Sequence, residues 1–147
     1  MLLDTNIVSA FLKPAAPPTL LEFVSDQLVA EGLAISFITQ FELRRGVEEL
    51  VRRGQGRRKL VAYEKFIESV QVLGLDAGDG DGWNFAARLW AEGRAHKPAL
   101  VFKDADLLIA ATAAFHGHEL ATAEVRLVEG LRKLSAYPVA VRLVPME

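Results

Sequence analysis

The sequence predicts an α/β fold in three layers, with a central, mostly parallel sheet of about five strands between helices on both faces. Two observations predict it. Short apolar runs that stop at a polar residue alternate with longer stretches of helical spacing along the chain. The composition, 51% hydrophobic and 24% charged, supplies enough apolar surface to cover both sides of such a sheet.

Met1-Leu2-Leu3 is the first apolar run, and Asp4 ends it, as expected of a short buried strand. Residues 5–12 take helical spacing through Ile7, Ala10 and Phe11 until Pro14, Pro17 and Pro18 break it. The pattern resumes over 19–30 with Leu20, Phe23, Val24 and Leu28, and Gly32 ends it. Residues 33–37 form the second expected strand, after which Thr39 opens a helix carrying Phe41, Leu43, Val47 and Leu50. A helix over 57–68, with Leu60, Tyr63 and Ile67 inward, precedes a third strand over 70–75. The Gly/Asp loop 76–82 then leads into a helix over 83–95. Residues 103–116 make the most apolar helix, expected to pack on both sides, and 119–122 and 139–144 the last two strands.

At 147 residues, with no internal repeat or linker, the chain reads as one domain spanning 1–147. The absence of cysteine excludes a disulfide scaffold, a thiolate zinc site and a cysteine nucleophile, and fits a cytoplasmic location. A net charge of −2 excludes a uniformly basic binding protein. Asp4 falls too early for a signal peptide, and the longest apolar stretch, 107–115, is about half of the ~20 residues that span a bilayer, so no membrane association is expected.

Ligands of open parallel sheets bind beyond the carboxyl ends of the strands, where helices begin. The residues at those junctions are acids. Asp4 ends the first strand, and Glu42 lies in the first turn of the helix after the second. Asp106 lies in the first turn of the apolar helix with Asp104 at its cap, and Glu124 stands two residues beyond the fourth strand. Each has an ordinary role open to it. Asp4 can cap a helix, Thr39 and Glu42 have the spacing of a capping box, Asp104 and Asp106 can complement a helix dipole, and Glu124 can be a solvated surface acid. Wound as expected, however, the sheet gathers them into one region, where carboxylates repel until a proton or cation relieves them. Oxygen ligands without cysteine select a hard cation, Mg2+ or Mn2+, which can acidify a water and neutralise a phosphodiester under attack. Metal-assisted phosphodiester hydrolysis is the expected chemistry.

The same residues resemble a known family. Asp4-Thr5-Asn6 resembles the opening motif of PIN-domain ribonucleases, and Glu42-Leu43-Arg44 with Gly46-Val47 looks like the second. Asp106-Leu107-Leu108-Ile109-Ala110-Ala111-Thr112-Ala113 resembles the third, and Leu120-Ala121-Thr122-Ala123-Glu124 the fourth. Size and layout look most like the VapC-type toxins of bacterial toxin–antitoxin pairs. The resemblance implies a PIN-like α/β/α domain, an Mg2+- or Mn2+-dependent endoribonuclease acting on RNA as a toxin, a cognate antitoxin protein and a homodimer. Carried over by position, Asp4, Glu42 and Asp106 are the implied metal-binding acids. Glu124, where the family more often has Asp or Asn, and Asp104 are further candidates for an ion or the attacking water. Thr5 and Asn6 are implied to orient Asp4 or a metal-bound water, and Thr122 to support the ligands from behind. Leu127-Val128 occupies the region where an aromatic residue often follows the fourth motif.

Between Arg44 and Lys59 seven basic residues face only Glu48 and Glu49. Pairs at i,i+4, Glu48–Arg52 and Glu49–Arg53, are expected to consume part of that charge. Arg44, Arg57, Arg58 and Lys59 remain candidates for RNA or antitoxin contact. The loop Asp79-Gly80-Asp81-Gly82 fails the calcium-loop pattern and reads as a turn with a helix cap. His116 and His118 flank a helix end around Gly117, an ordinary place for imidazole, and Trp83 and Trp90, two turns apart, are expected in core or dimer packing. No nucleotide-binding glycine motif is present. Two rivals remain: a non-catalytic PIN-fold module that binds a partner, and a phosphoacceptor receiver-like domain, which also clusters acids beyond a parallel sheet but for which Lys133 is poorly placed.

Overall fold

The computed structural model describes all 147 residues. The elements run β1 (Leu2–Leu3), α1 (Thr5–Phe11), α2 (Pro18–Ala30), β2 (Ala34–Ser36), α3 (Phe37–Arg52) and α4 (Arg57–Ser69). They continue through β3 (Gln71–Leu73), α5 (Ala77–Ala95), α6 (Asp104–Phe115), β4 (Leu120–Thr122), α7 (Val125–Arg132) and β5 (Val141–Leu143). The strands form one sheet in the order β3-β2-β1-β4-β5 with every neighbouring pair parallel.

Side chains alternate across a strand, and the two cores follow that alternation. Leu2, Ala34 and Leu120 face one layer, where they meet Leu89 of α5, Ile109 of α6 and Leu131 of α7. Leu3, Ile35 and Ala121, each one residue on, face the other, against Ile7 of α1, Val24 of α2 and Phe66 of α4. A one-residue slip in any central strand would exchange these sets, so burial on both faces fixes the register. The α/β/α sandwich expected from the sequence is therefore present, with strands shorter than expected.

The chain starts in the middle of the sheet. It moves outward through β2 and β3, returns across one face through α5 and α6, and continues outward the other way through β4 and β5. The order reverses between β1 and β4, which opens a crevice at their carboxyl ends. Helix α3 reaches across that end of the sheet, touching α1 and α4 on one side and α6 on the other.

Several local expectations are corrected. Helix α3 starts at Phe37 rather than Thr39, because Ser36 is its cap and accepts a 3.0 Å hydrogen bond from the Thr39 amide. Thr39 and Glu42 therefore do not form a capping box. Helix α7 was not expected at all. Where the sequence predicts the 76–82 loop, α5 begins in a kinked turn: Gly78, Asp79 and Gly80 take left-handed conformations at φ 66°, 56° and 89°, and regular helix follows them. Gly82 closes that turn. A Cβ there would stand 2.7 Å from Leu75 Cα and 2.9 Å from its carbonyl carbon, which backbone cannot yield cheaply. Trp83 and Trp90 are 44% and 47% exposed, outside the core. Trp83 Nε1 donates to Asp76 Oδ1 at 2.6 Å, and the Arg94 guanidinium lies over the Trp90 ring.

Candidate active site

Asp4 stands at the carboxyl end of β1 and is only 3% exposed. Its Oδ1 accepts a 2.7 Å hydrogen bond from the Thr5 amide, so it does cap α1. Its Oδ2 accepts another, also 2.7 Å, from Thr122 Oγ1 across the crevice at the end of β4. The Thr122 hydroxyl in turn accepts from the Glu124 amide at 3.1 Å, and Asn6 Oδ1 accepts from the Ala123 amide at 3.4 Å. The two loops beyond β1 and β4 are thus tied together by the first and fourth motifs.

Glu42 is held by a different route. Thr5 Oγ1 donates to Glu42 Oε1 at 2.8 Å, and Arg45 approaches Oε2 at 3.8 Å. A hydroxyl has one proton. With that of Thr5 committed to the carboxylate, its 3.0 Å contact with Thr39 Oγ1 takes the Thr39 proton, and Ser36 Oγ, 3.3 Å from Thr39 Oγ1, completes the chain. Ser36 and Thr39 are fully buried, so this row of hydroxyls joins the end of β2 to the Glu42 carboxylate. Reading motifs by their acids missed these two residues; a run of hydroxylic side chains beside a strand end was the available signal.

Asp106, half-buried in the first turn of α6, completes the group. Burial is the largest cause raising the Asp4 carboxyl above its ordinary 3.8; bonds from Thr122 and Thr5 oppose it, and the charges of Asp106 and Glu42 raise it further. Burial also raises the Asp106 carboxyl, opposed by Lys103 and reinforced by Glu42 and Glu124. The four motif acids therefore lie in one electrostatic neighbourhood. Asp104 does not join them: it is the exposed first residue of α6, and Lys103 rather than Asp104 is the cap. Glu124, the cap residue before α7, is exposed at the rim.

The acids are neighbours and not a closed cage: no three acidic or histidine side chains are gathered as tightly as a bound ion requires. Glu42 has its own partners, Thr5 and Arg45, apart from those of Asp4. The donor set nevertheless fits a hard divalent cation. It is all oxygen, one member is buried with its carboxylate form disfavoured, and a cation would relieve the cost of ionising it.

The basic segment is divided. Arg53 pairs with Glu49 at 2.7 Å as expected, but Glu48 pairs with Arg44 at 2.6 Å instead of Arg52. Arg44 also reaches Glu64 and lies over the Tyr63 ring, so most of its charge is engaged. Arg57, Arg58 and Lys59 are exposed in the first turn of α4 without ion pairs. Lys59 shares a groove of about 280 Å3 with Thr5, Glu42 and Arg45. His116 Nε2 meets the Gly74 carbonyl at 2.6 Å, well away from the acids.

The family model for the PIN domain matches residues 1–130, and that span contains all four acids. The chain belongs to the PIN-domain family. Solved structures share its architecture over nearly the whole length. DNA-bound VapBC from Salmonella typhimurium is 26% identical, with a TM-score of 0.75 over 96% of this chain and 95% of that one. FitAcB from Neisseria gonorrhoeae is 27% identical, with a TM-score of 0.73 over 95% and 94%. VapBC2 from Rickettsia felis, bound to a DNA fragment from its promoter, reaches a TM-score of 0.78 over 98% of both chains at 19% identity, a likeness of fold. No curated protein matches the chain. Within the PIN domain, Asp4, Glu42, Asp106 and Glu124 occupy the carboxyl end of the sheet at the point where the strand order reverses.

Proposed function

We propose that this PIN domain is a metal-dependent endoribonuclease and the toxin of a type II toxin–antitoxin pair. The observation that carries the proposal is the buried Asp4 carboxylate, held by Thr5 and Thr122 beside the charges of Glu42 and Asp106 in a PIN frame. Asp4, Glu42 and Asp106 would hold a Mg2+ or Mn2+ ion, with Glu124 reaching in from the rim. When bound, such an ion supplies charge neutralisation at the phosphate and an acidified water.

The chain's own residues set the geometry. Thr122 and the Thr5 amide each occupy one oxygen of Asp4, which fixes the direction of the remaining lone pairs. Thr5, supplied by Thr39 and Ser36, fixes Glu42 in the same way. Arg57, Arg58 and Lys59 offer cations for an RNA backbone or for an acidic antitoxin segment. An antitoxin partner is supported by the VapBC and FitAcB assemblies that this chain resembles. A homodimer is supported by Phe37, Phe41 and Trp83, 55%, 61% and 44% exposed, which form an apolar edge that a second copy can cover. A cytoplasmic location accords with this reading, and no helix is long and apolar enough to cross a membrane.

The test is purified protein with total RNA and Mn2+ or Mg2+. Site-restricted cleavage that disappears in Asp4→Asn supports the nuclease. Equal cleavage by that variant identifies a contaminant, and no cleavage by either leaves the partner-binding PIN module as the better account.

A further inference from the structure

Glu42 presents its two oxygens to different partners. Oε1 accepts the 2.8 Å hydrogen bond from Thr5, and the buried hydroxyls of Thr39 and Ser36 stand behind that bond. Oε2 meets the Arg45 guanidinium at 3.8 Å. Glu42 and Arg45 are three residues apart on α3, so the helix itself keeps them on one face. Other arginines of this segment are held more tightly: Arg44 reaches Glu48 at 2.6 Å and Arg53 reaches Glu49 at 2.7 Å, both with hydrogen bonds. At 3.8 Å the Arg45 contact is an attraction of charges without a hydrogen bond, which costs little to break.

Arg45 also has somewhere to go. Its side chain is exposed and borders two grooves, one of about 280 Å3 shared with Thr5, Glu42 and Lys59 and one of about 900 Å3 shared with Phe37, Phe41 and Arg44. The guanidinium lies over the Phe41 ring, 5.4 Å from its centroid, a second foothold that does not involve Glu42. The electrostatics give the contact a consequence. The charge of Glu42 helps to disfavour the ionised forms of Asp4 and Asp106, and Arg45 is the cation paired with Glu42. A divalent ion held by these acids relieves the same repulsion. With Oε1 engaged by Thr5, Oε2 is the oxygen of Glu42 that has no hydrogen bond to give up.

We propose that Arg45 is an internal counter-cation of the acid cluster, which competes with the divalent ion for Oε2 of Glu42 and withdraws onto Phe41 when the ion binds. The inference rests on the reading that Glu42 holds the ion, and adds to it a residue that sets the ion's affinity.

The experiment is a calorimetric titration of the whole protein with MnCl2 at ~0.1 M salt, where the screening length is about 10 Å and distant charges act little on the ion. Glu42→Gln should weaken Mn2+ binding. Arg45→Gln removes the charge and should tighten Mn2+ binding about two- to fivefold, the range set by exposed ion pairs. A folding defect does not imitate that gain. Lys59→Gln, which removes a cation of the same groove that is not paired with Glu42, should change the affinity by less than about twofold. Wild-type or weaker Mn2+ affinity in Arg45→Gln overturns the proposal. So does equal tightening by Lys59→Gln, which would reveal a general field in place of competition for one oxygen. If the wild type binds no Mn2+, or Glu42→Gln binds it as the wild type does, the reading of Glu42 as a ligand has failed instead.

Discussion

Thr122 Oγ1 donates a 2.7 Å hydrogen bond to Asp4 Oδ2, joining residues 118 positions apart where the sheet changes direction. Both residues are buried, so the bond replaces solvent for one oxygen of a carboxylate whose burial disfavours its charge. Hydrogen bonds to charged groups contribute about 1.5–3 kcal/mol. Thr122→Val keeps the shape and removes the donor. Its expected cost is in that range, which in a chain of this size lowers the melting temperature by roughly 2–4 °C per kcal/mol. RNA cleavage should fall with it, and Thr122→Ser should restore both. A valine variant with wild-type cleavage and melting would show that the hydroxyl supports neither Asp4 nor the fold.

Asp106 tests whether the acids serve the site or the helix. Its burial and its repulsion from Glu42 and Glu124 oppose the charge, while its place in the first turn of α6 favours it. The opposing effects make Asp106→Asn close to neutral for stability, within about 1 kcal/mol. Activity should be abolished at unchanged protein concentration and melting temperature. A large drop in melting temperature would assign Asp106 to helix capping.

His118 gives the fold a pH dependence at a place remote from the acids. His118 precedes β4 and lies 3.4 Å from the amino terminus through Nδ1. Burial is the main cause holding its imidazole below the ordinary 6.5, and the terminal amine and His116 add to it. The folded state therefore binds this proton less readily than the unfolded chain does. Stability from neutral His118 is complete above about pH 6.5 and is lost as pH falls from there through the lowered folded value. His118→Gln should flatten the dependence of melting temperature on pH across that window. An unchanged slope would place the acid sensitivity elsewhere.

The parts of the fold legible in the sequence were those written by burial. Leu2-Leu3 before Asp4, and Leu120-Ala121 before Thr122, are abrupt apolar-to-polar steps because both faces of the strand are covered up to its last residue. Short or shared elements were not legible. Helix α7 has only eight residues and carries Gly130 in its last turn, which reads as a breaker but is the contact that admits Phe102. Ser36 ends β2 and caps α3 at once, so the boundary fell two residues earlier than the periodicity at Thr39 suggested.

Side-chain partnerships show the same division. Glu48 has arginines four residues away on both sides, and local spacing does not choose between them. Arg44 wins because its guanidinium also meets Glu64 and the Tyr63 ring, contacts that exist only after α4 packs on α3. Likewise the acids at strand ends were identifiable one by one, but the support of Glu42 by Thr5, 37 residues earlier, depends on how α3 lies across the sheet.

The first turn of α4 carries three cations in a row. Arg57, Arg58 and Lys59 lie at the positive end of the helix dipole, exposed and without carboxylate partners. Three cations in that position repel one another and the helix end, an arrangement that costs stability in the free protein and is relieved by an anionic partner. Replacing all three with Ala should therefore leave the fold as stable or slightly more so, by a few tenths of a kcal/mol for each. The same variant should bind RNA more weakly, with a salt slope shallower by up to about 2. Thermal melting and anisotropy titrations in EDTA measure the two effects on one sample. Lower stability would mean that these side chains hold α4 in place, and an unaltered slope would remove them from the path of the RNA.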